Sequence, residues 1–155
     1  MKKINRLMKK ILFLLLTVFS ISCGLVSNNE EPSKLWITDA NEAIALSKET
    51  GKPIFAFFTG KEWCSWCKKL ERQILSKEAF LSYAKENLVL LELDFPRGSR
   101  NLPQAQIKLA RKFRIQGYPT VIVMDSETNL LGQTGYENVT PQQYVAKVER
   151  MISSK

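Results

Sequence analysis

The sequence predicts a single α/β domain in which helices cover both faces of a central mixed β-sheet. Three observations carry that prediction. Segments with apolar residues at helical spacing alternate with short apolar runs rich in strand formers, the order that places a sheet between two helical layers. The run Ile54-Phe55-Ala56-Phe57-Phe58-Thr59 has no polar face, as expected of a strand buried on both sides. Two later runs, Val121 to Asp125 and Leu130 to Thr134, are joined by a short turn at Ser126 to Asn129, adding an antiparallel hairpin to strands otherwise linked by helices.

The chain has 155 residues, 45% hydrophobic and 25% charged, which suits one domain with one core. Its formal charge of +8 invites a nucleic-acid reading, but Lys2, Lys3, Arg6, Lys9 and Lys10 supply five of those charges within the first ten residues. Without them the balance is +3, an ordinary solvated surface, so no nucleic-acid partner is expected.

That basic start is followed by the apolar run Ile11 to Phe19 and then by Ser20, Ser22, Cys23 and Gly24. The pattern is that of a secretory signal peptide over residues 1–23, because the apolar run falls short of the roughly 20 residues that span a bilayer. An uncleaved anchor is the alternative, and it too places the rest of the chain outside the cytoplasm. Cys23 after Ser22 resembles a bacterial lipoprotein signal, in which the cysteine becomes the lipidated first residue, although Ser20 stands where such signals usually carry Leu. Otherwise Cys23 is removed with the peptide. Either outcome leaves Cys64 and Cys67 as the only thiols. Residues 24–34, rich in Ser, Asn, Glu and Pro, read as a flexible tether to a folded domain over 35–155.

Within that domain Asp39 has N-cap chemistry for a helix through Thr50, with Trp36, Ala40, Ala43, Ile44 and Ser47 on one side and Gly51 closing it. The strand from Ile54 ends at Gly60. After the loop Lys61 to Trp63, a helix is expected from Cys64 to about Ile74, with Cys67, Leu70 and Ile74 facing inward. It restarts near Ser76, and Phe80, Leu81 and Ala84 form a second stripe. Leu88 to Asp94 reads as a strand stopped by Phe95-Pro96. Pro103 suits the first turn of a helix burying Ala105, Ile107, Leu109, Ala110 and Phe113, and the hairpin follows. Thr140-Pro141 opens a last helix, with Tyr144, Val145, Val148, Met151 and Ile152 at helical spacing.

The chemistry centres on Trp63-Cys64-Ser65-Trp66-Cys67, which sits at the turn from the first buried strand into a helix. Two cysteines at this spacing can close a disulfide or hold a metal together. A zinc site needs about four ligands, and a chain with no histidine and no second cysteine pair cannot furnish them, so no metal is expected. A purely structural bridge over so short a loop constrains the unfolded chain weakly. A cysteine at a helix N-terminus meets unpaired N–H groups that stabilise the thiolate, the only form that attacks a disulfide. Lys68 and Lys69 add positive charge nearby, or simply solvate the helix face.

This Cys-x-x-Cys, preceded by Trp63, combines with Gly117-Tyr118-Pro119-Thr120 just before a strand. Together they resemble the thioredoxin family over Trp36 to Ile152. The Phe-Thr-Gly-Lys-Glu-Trp-Cys-Ser-Trp-Cys-Lys-Lys-Leu run and the Leu-Asp-Phe-Pro segment look like the exported bacterial members that act on disulfides outside the cytoplasm. The resemblance implies a thioredoxin fold, attack by Cys64, resolution by Cys67 and a cis Pro119 beside the disulfide. It implies no cofactor beyond the Cys64–Cys67 couple. Trp63, Trp66, Tyr118 and Pro119 are the expected substrate-binding residues. Ala56 aligns where many thioredoxins bury an acid for proton transfer, so Glu62 and Glu92 are the candidate replacements.

The expected activity is an extracytoplasmic thiol-disulfide oxidoreductase that reduces or exchanges protein disulfides. Its expected partners are disulfide-containing proteins and an envelope electron donor or acceptor, with membrane attachment only through the N-terminal signal or lipid. Ser65-Trp66 carries no histidine to favour a strong oxidant. A dithiol oxidase is the alternative, as is a non-enzymatic client-binding module with vestigial cysteines.

Overall fold

The computed structural model describes residues 35–154, so the expected signal peptide, Cys23 and the tether lie outside the described residues. The elements run β1 (Trp36–Ile37), α1 (Ala40–Thr50), β2 (Ile54–Thr59), α2 (Ser65–Leu70), α3 (Glu78–Asn87), β3 (Val89–Asp94), α4 (Gln104–Lys112), β4 (Thr120–Met124), β5 (Leu130–Thr134) and α5 (Pro141–Ser153). A π-helical turn, Glu71–Leu75, continues α2.

The sheet order is β1-β3-β2-β4-β5. β2 lies at its centre, parallel to β3 from Ile54↔Val89 to Thr59↔Asp94 and antiparallel to β4 from Ile54↔Met124 to Phe58↔Thr120. All six β2 residues are buried, which explains why the segment carries no polar face. The two-residue period of the strand divides them between layers. Phe55 and Phe57 join Cys64, Cys67, Leu70, Ile74, Phe80, Tyr144 and Val148 under α2, α3 and α5, while Ile54, Ala56 and Phe58 join Ala40, Ala43, Leu109, Ile122 and Met124 under α1 and α4. The expected α/β fold with a mixed sheet covered on both faces is therefore observed.

The capping signals also hold. Asp39 Oδ1 accepts from the N–H groups of Asn41 and Glu42 at 2.7 and 3.2 Å, and Gly51 closes α1 in the left-handed conformation at φ 72°. Thr140 and Gln143 form a reciprocal capping box at the head of α5.

Several local expectations are corrected. Trp36 belongs to an additional edge strand, paired through Trp36↔Leu90, rather than to the buried side of α1. Cys64 caps α2 from extended backbone (φ −90°, ψ 101°) and is not its first helical residue. The expected single helix to Ile74 widens at Glu71, where Ser76 N–H bonds to Glu71 O at 2.9 Å, and Ile74 and Leu75 are both buried. Lys77, not Ser76, occupies the N-cap of α3, and Pro103 occupies that of α4. On α4 Leu109 is buried and Ala105, Ala110 and Phe113 pack partly buried against the same cluster, as expected, while Gln106 is buried as well because its Nε2 donates to the carbonyl of Asp94 at the end of β3. β4 is shifted one residue earlier than Val121 to Asp125.

Candidate active site

The site begins at Gly60, where β2 ends and the chain turns into α2. Its carbonyl accepts from the N–H groups of Trp63 and Cys64 at 3.0 and 2.7 Å, tightening the turn that delivers Cys64 to the helix head. A Cβ on Gly60 would lie 2.3 Å from Trp63 Cε2, so only glycine lets the indole lie against this backbone. Lys68 N–H then bonds to Cys64 O at 3.1 Å, starting the helix.

Cys64 and Cys67 form a disulfide with Cα atoms 5.2 Å apart. The N–H of Cys67 points at Cys64 Sγ, 3.1 Å away, as a capping hydrogen bond. Both cysteines are buried, Cys64 at 5% exposure and Cys67 at 1%.

Two aromatic groups flank the pair. On one side Trp63 is half-buried, and its Nε1–H donates to Phe95 O at 2.9 Å. Its ring meets Tyr118 edge-on at 5.5 Å, and Tyr118 stacks obliquely on Phe95 at 5.4 Å. Burial, followed by the charge of Asp94, raises the pKa of the Tyr118 phenol above its ordinary value. The Tyr118–Pro119 bond is cis. The carbonyl of Pro119 lies so close to Gly135, just past β5, that a Cβ there would stand 2.8 Å from it.

On the other side Trp66 is 54% exposed and tilts against Tyr136, ring centres 5.2 Å apart. Lys69 Nζ lies over both rings, 4.9 Å from Trp66 and 4.8 Å from Tyr136. Tyr136 is anchored by its hydroxyl, which donates to Gln73 Oε1 at 2.9 Å. Arg97 makes the matching contact on the first side, its Cζ 4.9 Å from the Trp63 ring.

The two candidate acids occupy different surroundings. Glu62 is exposed in the turn, and its backbone carbonyl accepts from Lys68 Nζ at 2.7 Å. Glu92 stands in register with Phe57 on β2, and therefore on the cysteine layer of the sheet. Its carboxylate is 13% exposed and bonds to Lys61 Nζ at 2.7 Å, a contact that raises the lysine's pKa. The pair lines a cavity of about 280 Å³ with Trp36, Phe57, Glu71 and Leu75. Ala56 is fully buried in the opposite layer, so that position offers the cysteines no group.

The structure thus joins Trp63 to Tyr118 and Phe95 on one side of the Cys64–Cys67 motif and Trp66 to Tyr136 on the other, sets Lys69, already expected to add charge here, over the second pair, and adds Phe95, Arg97 and Tyr136, which were not among the expected site residues. Gly135-Tyr136 directly after a predicted strand was the available signal for one of them.

Residues 35–126 match the family described as Thioredoxin-like. The disulfide bond reductase DsbH of Chlamydia pneumoniae is 35% identical over 72% of this chain and 69% of its own length. The thioredoxin-related protein DsbJ of the same organism is 25% identical over 83% of this chain and 38% of its own. A solved DsbH oxidoreductase superposes with a TM-score of 0.69 at 33% identity, covering 77% of this chain and 85% of that one. A thioredoxin from Thermus thermophilus, at 19% identity and a TM-score of 0.60, shares the fold over 77% of this chain and 87% of that one.

Proposed function

We propose, since this chain belongs to the thioredoxin-like family and is a thiol-disulfide oxidoreductase, that it works outside the cytoplasm as a reductant or exchanger of protein disulfides. The observation that carries the direction of attack is the Cys67 N–H aimed at Cys64 Sγ, which favours charge on the outer sulfur. The Cys64 thiolate attacks one sulfur of a substrate disulfide, forming a mixed disulfide and releasing the other substrate sulfur as thiolate. Cys67 then loses its proton and attacks Cys64 Sγ. This frees the second substrate thiolate and leaves the Cys64–Cys67 bridge. Two electrons from an envelope dithiol donor restore the reduced pair, and no cofactor is needed. The kinship to a protein named disulfide bond reductase supports the reducing direction over oxidation, as does the absence of a charged residue between the cysteines. The N-terminal pattern supports export, with Cys23 as the lipid attachment point.

Trp66 receives the substrate chain, while Trp63, locked by Phe95 and Tyr118, shapes the opposite wall beside Pro119. Glu92, rather than Glu62, takes up the Cys67 proton, because it alone of the two stands on the cysteine layer. In Glu92→Gln the pH profile of mixed-disulfide resolution should move to higher pH; a profile that overlays the parent removes Glu92 from this role. The function itself is tested by insulin reduction together with the reduction potential of the couple. Turnover with a potential well below that of a strong oxidase is expected. A strongly reducing bridge without turnover would refute the enzymatic reading, and a strong-oxidase potential would reverse the direction.

A further inference from the structure

We infer that the surface around the disulfide selects polypeptides carrying carboxylates next to their own disulfide, with Lys69 and Arg97 as the selecting residues. This rests on the reading that the chain acts on protein disulfides. The motif separates two ring-and-cation ledges: Trp63 with Arg97 precedes Cys64, and Trp66 with Lys69 and Tyr136 precedes Cys67. Neither cation has a carboxylate partner or a hydrogen-bond acceptor among the described residues; each is held only over aromatic faces. Their neighbours differ. Lys61 is engaged by Glu92 and Lys68 by the carbonyl of Glu62.

Among the described residues no nearby acid is bonded to either ledge cation, although the charge of Asp94 also reaches Tyr118 beside the Trp63 ring. Glu92 and Asp94 both turn to Lys61, through its Nζ and its backbone N–H respectively, which leaves exposed Glu62 as the one carboxylate of the turn itself. A purely apolar client would favour bare rings, whereas here a cation covers a face of each ledge. A substrate carboxylate approaching either ledge meets a cation whose other side rests on an apolar ring rather than in water, which strengthens the attraction over that of a fully hydrated pair. The rings meanwhile supply contact to the backbone and side chains on either side of the scissile bond. Trp66, the more exposed, provides the larger area.

The test uses two synthetic peptides, each closed by one intramolecular disulfide and identical except that Glu or Lys flanks the cysteines. Rates with the reduced protein are normalised to reduction by dithiothreitol, which removes intrinsic differences in disulfide reactivity. One exposed and one half-buried cation predict a kcat/KM about threefold to tenfold higher for the acidic peptide, shrinking as salt is raised. The Lys69→Glu, Arg97→Glu double variant should invert the preference, an outcome that loss of folding cannot imitate. Equal normalised rates for the two peptides, or an uninverted preference in the variant, would overturn the proposal while insulin reduction leaves the oxidoreductase reading standing. Failure to reduce insulin and both peptides would overturn that reading and the selectivity with it.

Discussion

Gly135→Ala probes how closely the cis-proline segment and the loop after β5 are fitted together. The added Cβ would lie 2.8 Å from the Pro119 carbonyl oxygen, against about 3.4 Å for an ordinary contact, so about 0.6 Å must be found. The obstacle is backbone, which cannot rotate away as a side-chain tip does. On one side of the contact is Pro119; on the other are Tyr136 and the Gly135 carbonyl, which accepts from Tyr144 Oη at 3.1 Å. Overpacking of this kind costs about 1–3 kcal/mol, or about 4–12 °C in Tm for a domain of this size. Because displacements approaching 1 Å at a reacting centre can cost about a hundredfold, kcat/KM for insulin reduction should fall by about tenfold or more. The control is Gly117→Ala in the cis-proline segment, where a Cβ meets nothing within 4 Å; it should be neutral or stabilising by about 0.5 kcal/mol. Thermal unfolding and steady-state kinetics read both. An unchanged Gly135→Ala protein, or an equal loss in Gly117→Ala, would refute the reasoning.

Asp39→Ala removes a cap that serves two N–H groups and should cost about 1 kcal/mol in denaturant unfolding; no change in midpoint would mean water replaces the carboxylate fully. Glu137 titrates below the usual carboxylate range because Lys147, and then Thr134, hydrogen-bond to it. Its depressed pKa contributes stability above the unfolded value near about 4.3 that is lost as pH falls through the folded pKa. The Glu137→Gln variant should therefore lose less Tm on acidification than the parent, and parallel curves would contradict this.

The elements that carry strong local signals were legible in the sequence. Asp39, Gly51 and Thr140-Pro141 announce helix ends through their own backbone chemistry, and the uninterrupted apolar β2 announces a central strand. β1 was not legible, because Trp36–Ile37 is too short for any period and exists only through pairing with Leu90 and Leu91. Gln106 was missed because its burial depends on one distant carbonyl. At the site, Cys64, Cys67 and Pro119 were readable from spacing and resemblance, while the Lys69–Trp66–Tyr136 ledge joins residues 70 positions apart and forms only after α2 and the β5–α5 loop meet. The layer assignment of Ala56 and Glu92 likewise needs the strand register.

Covalent trapping tests the central claim most directly. Cys67→Ala removes the resolving sulfur and leaves the Cys64 thiolate able to attack, so in cells it should accumulate as mixed disulfides with client proteins, identifiable by mass spectrometry and released by reductant. Those adducts should map to Cys64 and vanish when Cys64 is also replaced by Ala. An absence of adducts from Cys67→Ala, or adducts in Cys64→Ala with Cys67 intact that match them in amount and identity, would contradict the assignment of Cys64 as the attacking sulfur.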